Sequence, residues 1–168
     1  MPTYERKVLE DLLDGELPFY SAHSIMSSYK DADRFEKMIS ILQDRVEWKD
    51  RILLPYGENL FIVEKPDGAH NVRCTCGHDY GSYKQNWKLS ALIHVRNTQE
   101  KLDEVYPRMM SSDPEWMEIR EFYCPSCARQ LEVEAVPPGY PIIFDFEPDL
   151  EGFYRDWLGK PLPKAVSK

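Results

Sequence analysis

Two short cysteine motifs constrain this chain more than any other feature: Cys74-Thr75-Cys76-Gly77-His78 and Cys124-Pro125-Ser126-Cys127. Zinc takes four ligands at tetrahedral corners, with sulfur at about 2.3 Å. Two ligand pairs, each at the tip of a β-hairpin, meet that demand, so the fold has to bring two distant turns together. Gly77 supplies the backbone freedom needed by a turn that closes just after Cys76. The strand-like flanks of the second pair fit one half of a zinc ribbon. A site built from Cys74, Cys76, Cys124 and Cys127 leaves no position open for water, so its metal is structural.

Alternatives stay open on the residues themselves. One intervening residue in the first pair is fewer than the usual two to four, so His78 could replace Cys74 as a ligand or donate to a thiolate from outside the ligand set. Cys124 and Cys127 also have the spacing of dithiol oxidoreductases, but no βαβ pattern surrounds them and no helix begins at the first cysteine. Four cysteines in a reducing compartment point to metal before a disulfide frame.

The 168 residues, 42% hydrophobic and 30% charged, suffice to bury roughly 70% of the unfolded surface as one domain. The longest apolar stretches, such as Ile52–Leu54 and Leu60–Val63, fall far short of the ~20 residues that span a bilayer. Met1 to Lys7 shows no basic-then-apolar leader pattern. The expectation is a cytoplasmic protein with no membrane partner. A net charge of −8 argues against a general nucleic-acid binder, which needs a positive surface, and leaves a zinc-ribbon nucleic-acid-binding module as an alternative. One segment runs against that acidity: between His70 and Arg96 lie Arg73, Lys84, Lys88 and Arg96 against a single acid, Asp79. Interleaved Tyr80, Tyr83 and Trp87 could stack bases, or the patch could dock an acidic partner.

No glycine-rich phosphate loop or Gly-x-Ser-x-Gly elbow is present. His23, His70, His78 and His94 lack a metal-binding spacing, and Glu132, Glu134, Asp145 and Glu147 read as solvated positions of alternating strands. No complete catalytic set emerges.

The pattern predicts an α+β chain: N-terminal helices, a zinc-ribbon-like antiparallel β region and an extended C-terminal arm rich in proline and aromatics. Residues 1–58 read as the helical segment, with helices over Tyr4–Leu13, stopped by Gly15, and from Asp33 to about Asp50. In the second, Phe35, Met38, Ile39, Leu42 and Val46 form one stripe, and Asp33 with Glu36 forms a capping-box variant. Residues 59–136 read as the β domain. Its strands are Leu60–Val63, Asn71–Cys74, an alternating run from Trp87 to Arg96, and a pair near Met117–Tyr123 and Leu131–Ala135. A short helix begins at Asn97-Thr98, and Asp113-Pro114 opens a single turn. Residues 137–168 read as the arm, with six prolines and six aromatics, packed on its own core or on another subunit.

The runs Val72-Arg73-Cys74-Thr75-Cys76-Gly77-His78-Asp79-Tyr80-Gly81, Asn86-Trp87-Lys88-Leu89, Tyr123-Cys124-Pro125-Ser126-Cys127 and Pro137-Pro138-Gly139-Tyr140-Pro141 together resemble the small gamma subunit of acetone carboxylase, over nearly the whole chain. The small subunit of acetophenone carboxylase is a close neighbour. The resemblance implies a cytoplasmic bacterial complex holding two copies each of alpha, beta and gamma subunits. That complex joins acetone and bicarbonate to give acetoacetate, with ATP hydrolysed to AMP and two phosphates. Manganese and ATP are expected on the large subunits. Zinc is expected in this chain on Cys74, Cys76, Cys124 and Cys127, with no catalytic residue of its own. The basic segment would then face a passage for bicarbonate or phosphorylated intermediates.

Overall fold

The computed structural model describes residues 3–107 and 109–163. Three helices open the chain: α1 (Arg6–Leu13), α2 (Phe19–Ser27) and α3 (Arg34–Asp44). Gly15, at φ +70°, ends the first helical turn region as expected, and the Glu16 amide reaches back to the Asp11 carbonyl at 2.9 Å. This is the left-handed exit that glycine makes cheaply. α3 stops at Asp44, short of Asp50, and Asp33 does not cap it with its side chain. The Asp33 carboxylate instead pairs with Lys37 at 2.8 Å. α2 was not legible in the sequence, because its serines and exposed aromatics give no apolar stripe.

Two antiparallel sheets follow. The first contains β1 (Arg51–Gly57), β2 (Leu60–Glu64), β3 (His70–Cys74) and β4 (Asp79–Ser82), in that order. β2 is buried along its length because both faces are covered. Phe61 and Val63 meet Ile39, Leu42, Val46 and Trp48 from α3 and the loop after it, while Ile62 and Leu53 meet Leu150 on the opposite face. A fully buried strand shows a continuous apolar run rather than alternation. β1, which lies within the segment read as helical, pairs directly with β2.

The second sheet contains β5 (Leu92–Arg96), β6 (Glu118–Tyr123) and β7 (Gln130–Val136), with α4 (Gln99–Asp103) between β5 and β6. Thr98 caps α4 through its side chain. Asp113 closes the expected turn with Glu115 and Trp116. The expected long strand from Trp87 is shorter: Trp87–Ser90 is a 3-10 turn, opened by the Asn86 side chain accepting from the Lys88 amide at 3.1 Å. That turn buries Trp87 and Lys88 as neighbours, which no strand face can do.

The arm packs on its own chain. Its carbonyls at Tyr140 and Ile142 accept from Arg120 (2.6 Å) and Asn86 (3.3 Å), and Tyr56 donates to the Phe146 carbonyl. It is unpaired through residue 149 and then turns helical through α5 (Leu150–Gly152) and a π turn, Phe153–Trp157. The buried Tyr154 hydroxyl donates to the Leu53 carbonyl at 2.8 Å. Residues 164–168 of the arm lie outside the described residues.

Lys88 draws the arm and the second sheet together. Its side chain is 2% exposed, and its ammonium meets Glu132 at 2.7 Å and also Glu134 and Asp145. These carboxylates are therefore partners of a buried cation, although Asp145 and Glu132 keep the contact with water that their alternation suggested. Burial opposes the charge on Lys88, but hydrogen bonds from the ammonium to Asp145, Glu132 and Glu134 outweigh it and raise its pKa. A raised lysine pKa means that the stabilisation is complete below the ordinary value of about 10.4 and is lost only as pH climbs through the folded value.

Replacing Lys88 by Met leaves three carboxylates facing one another. The expected loss at pH 7 is about 2–3 kcal/mol, below the roughly 3–5 kcal/mol of a fully buried broken pair because Asp145 and Glu132 keep contact with water. Urea unfolding of the wild type and the variant side by side at pH 7 measures that loss.

Candidate metal centre

Each cysteine pair sits on the turn leaving a different sheet. Cys74 ends β3, so the first turn belongs to the first sheet; Cys124 follows β6, so the second belongs to the other. Both turns close on the strand cysteine. The Cys74 amide donates to the His78 carbonyl at 2.9 Å, and its carbonyl accepts from Gly77 at 2.8 Å. Likewise the Cys124 amide donates to the Arg129 carbonyl at 2.9 Å, and its carbonyl accepts from Ala128 at 2.8 Å. The shorter first motif returns three residues after its strand cysteine and the longer one returns after four. The turns absorb the one-residue difference in spacing, and both aim two sulfurs at one point.

A residue with positive φ follows the second cysteine in each turn: Gly77 at +96° and Ala128 at +55°. Left-handed backbone bends the chain away once both sulfurs are placed, and a β-carbon makes it costly. At Gly77 a β-carbon would also lie 3.3 Å from Trp48 Cδ1.

The four sulfurs converge as the motifs predicted. Cys76 and Cys124 are 3.7 Å apart, Cys74 and Cys127 are 3.9 Å apart, and all four lie within 4.8 Å of one another. A tetrahedron with metal–sulfur arms of about 2.3 Å has edges of about 3.8 Å. The donor set therefore fits zinc in number, softness and spacing, and the cysteines are free thiols. His78 is not part of this cluster. Its Nδ1 lies 2.8 Å from the Ser126 hydroxyl, so it ties one turn to the other, and its ring meets Tyr80 edge-on. Arg129 adds a second tie, donating to Asn59 at 3.3 Å and to the Thr75 hydroxyl. Trp48 Nε1 holds the Thr75 carbonyl at 3.1 Å.

The electrostatics favour a cation among the sulfurs. Burial drives Cys76 up to about 12, assisted by the crowding of the other three sulfurs, and burial also raises Cys74. At Cys124 burial acts the same way but is outweighed by the Tyr80 hydroxyl and the amides of Ser126 and Cys127, which bring the thiol down to about 7. The Tyr80 hydroxyl is buried with no nitrogen or oxygen partner, so a thiolate at Cys124 is its natural acceptor. Four thiols packed this closely cannot all ionise without a positive ion between them.

Below the sulfurs, Cys74 and Cys124 share one apolar cluster with Leu60, Val72, Tyr80, Trp87 and Phe122. Trp87 is wedged between the two sheets, edge-on to Tyr80 at 5.8 Å and to Phe122 at 6.1 Å. The sequence reading missed this role for Trp87 and the acid cluster around Lys88.

The basic segment does not form a free patch. Arg73 pairs with Asp50 and Asp79, Arg96 with Glu104 and Glu121, and Lys88 is buried. Lys84 lies over Tyr83. Three of the segment's four cations are thus engaged within the chain.

The two turns make opposite predictions. Gly77→Ala should destabilise the protein by about 1–2 kcal/mol, while Ala128→Gly should be neutral or stabilising by up to about 1 kcal/mol. Urea unfolding of the two variants side by side measures both.

Comparison with known proteins matches the outline of this site and its surroundings. The family model for the acetone carboxylase gamma subunit covers residues 46–158, from the loop before β1 through the π turn. The acetone carboxylase gamma subunit of Xanthobacter autotrophicus (strain ATCC BAA-1158 / Py2) is 49% identical over 164 residues, 97% of this chain and 98% of that protein. The acetophenone carboxylase beta subunit of Aromatoleum aromaticum (strain DSM 19018 / LMG 30748 / EbN1) is 38% identical over 78 residues, 45% of this chain and 60% of that one. On the strength of a match that spans both cysteine turns, the sheets that carry them and nearly the full length of a relative, the chain belongs to the acetone carboxylase gamma subunit family.

Proposed function

We propose that this chain is the small zinc-binding subunit of a multisubunit, ATP-dependent acetone carboxylase, in which it serves assembly rather than catalysis. The observation that carries the reading is the closed set of four sulfurs, contributed equally by two sheets, in a chain similar to a gamma subunit along its length. Cys74, Cys76, Cys124 and Cys127 would hold the metal. Zinc bound by four thiolates supplies a cross-link and keeps no open position for water or substrate. This chain's residues then act by position: the turns are tied through His78–Ser126 and Arg129–Thr75, and Trp87 fills the space between the sheets.

In this reading the protein is cytoplasmic and its partners are the alpha and beta large subunits, with two copies of each of the three subunits. Acetone and bicarbonate would be joined to acetoacetate on the large subunits, with ATP hydrolysed to AMP and two phosphates. ATP and manganese would be handled there. Among the described residues no helix is long and apolar enough to cross a membrane. A place in an acetophenone carboxylase is the second reading, supported by the partial match to that enzyme's beta subunit.

Cys124→Ser should lose zinc and assembly together. Metal analysis of the wild-type complex should find about one zinc per copy of this chain, and the variant should elute free of large subunits on gel filtration. A variant that keeps its full zinc content and assembles normally would overturn the proposal.

A further inference from the structure

The buried strand β2 ends on a charged residue, Glu64, which is 7% exposed. Strand alternation puts its side chain on the face of Leu60 and Ile62, the face that Leu150 covers at Ile62. At the end of that face a cleft of about 770 Å³ opens between the strands and the C-terminal segment, with Glu64, His70, Glu151, Lys160 and Leu162 in its wall. Among the described residues the Glu64 carboxylate has no hydrogen bond or ion pair. The cations around it are committed elsewhere: Lys65 to Asp79, Arg155 to Asp156 and Lys160 to Glu36. Arg51, its partner on β1, is exposed and does not pair with it. A carboxylate withdrawn from water is destabilising unless a cation or donor meets it. β3 sets His70 beside Glu64 in register, and α5 brings Glu151 to the same cleft. Neither of these side chains has a hydrogen-bond partner among the described residues.

We propose that this cleft binds a primary ammonium group, with Glu64 as its counter-ion and His70 and Glu151 as further acceptors. An ammonium carries three donors and no acceptor, and the cleft offers three side chains able to accept. An anion would meet the unpaired Glu64 carboxylate, and the rim cations Arg155 and Lys160 are already paired. A bare metal ion fits less well. Among the described residues the donor sets whose atoms all lie within 4.8 Å are the four cysteines and the acids around Lys88. Glu64, His70 and Glu151 are therefore too widely spaced to share an ion with bonds of about 2.0–2.2 Å. The cleft also has room for the carbon chain that bears an ammonium, which Leu162 and its flanking prolines would line. The group can come from a free alkyl amine or from a lysine of a partner subunit. The chemistry is the same, and only the second source rests on the subunit reading above.

The test is a titration of the full chain with n-butylammonium at constant ionic strength, read by the NMR shifts of the Glu64 amide and the His70 imidazole. Saturable binding is expected, and Glu64→Gln should weaken it by at least about tenfold, as the loss of a charge-assisted hydrogen bond requires. Zinc content and far-UV circular dichroism verify that the variant folds. If it does not, Glu151→Gln, at an exposed position, takes its place and should weaken binding by about threefold or more. No saturation up to about 0.1 M amine, unchanged affinity in the variant, or equal binding of tetramethylammonium, which has the charge but no donor, overturns the proposal. Repeating the titration on the chain reconstituted with the alpha and beta subunits separates the sources. Binding that persists assigns the cleft to a free amine. Binding lost on assembly assigns it to a partner lysine if Glu64→Gln also assembles about tenfold more weakly, and overturns the proposal for the complex if that variant assembles normally. Failure of the wild-type chain to assemble overturns the subunit reading and leaves the free-chain result standing.

Discussion

The convergence of four sulfurs from two separate sheets is the constraint on which the rest of this molecule depends. The first sheet is stabilised on both faces, by α3 on one side and by the C-terminal helical turns on the other. The second sheet meets the first through the apolar cluster beneath the cysteines. A three-stranded sheet needs a buried apolar face for its stability, and Phe122 of β6 supplies part of one in that cluster. A metal held by the four sulfurs would fix the tips of β3 and β6 to a common point, and its binding free energy would become folding free energy.

A second junction completes the arrangement. Lys88 follows Trp87 in the same 3-10 turn, so one short element sends an indole into the space between the sheets and an ammonium into the acids of β7 and the arm. The arm then crosses to β1, where Tyr56 and the backbone of Leu53 receive it. The sheets thus meet at two places, at the cluster of four sulfurs and through the arm with its ion pairs to Lys88. Ion pairs in such positions add little stability over an apolar replacement but penalise any arrangement that separates them.

Local chemistry was legible in the chain, and assembly at a distance was not. The cysteine spacings, the turn glycine Gly77, the exit at Gly15 and the Thr98 cap each depend on a few consecutive residues; the four sulfurs do cluster, and the two glycines and Thr98 stand at the turn, exit and cap read for them. Glu132 and Glu134 illustrate the opposite case. Their two-residue spacing correctly places them on one face of β7, yet spacing cannot say whether that face meets water or a buried lysine. Lys88 itself lies far from all three of its partners in sequence. Trp87–Ala91 mimicked strand alternation because five residues are too few to separate that period from a tight helical turn. β1 escaped notice because Pro55 argues against a strand interior, although an edge strand tolerates it.

The sequence alone determined which atoms could hold a soft metal ion and that four such atoms exist, since ligand type and spacing are properties of adjacent residues. It also determined the α+β class, through the change of hydrophobic period along the chain. Only the tertiary structure decided that the cysteine pairs belong to different sheets, that Arg73, Lys88 and Arg96 of the basic segment are held by internal ion pairs, and that the arm returns to its own core. Those outcomes depend on contacts between residues tens of positions apart. Such contacts are selected by the packing of whole elements, which no local pattern encodes.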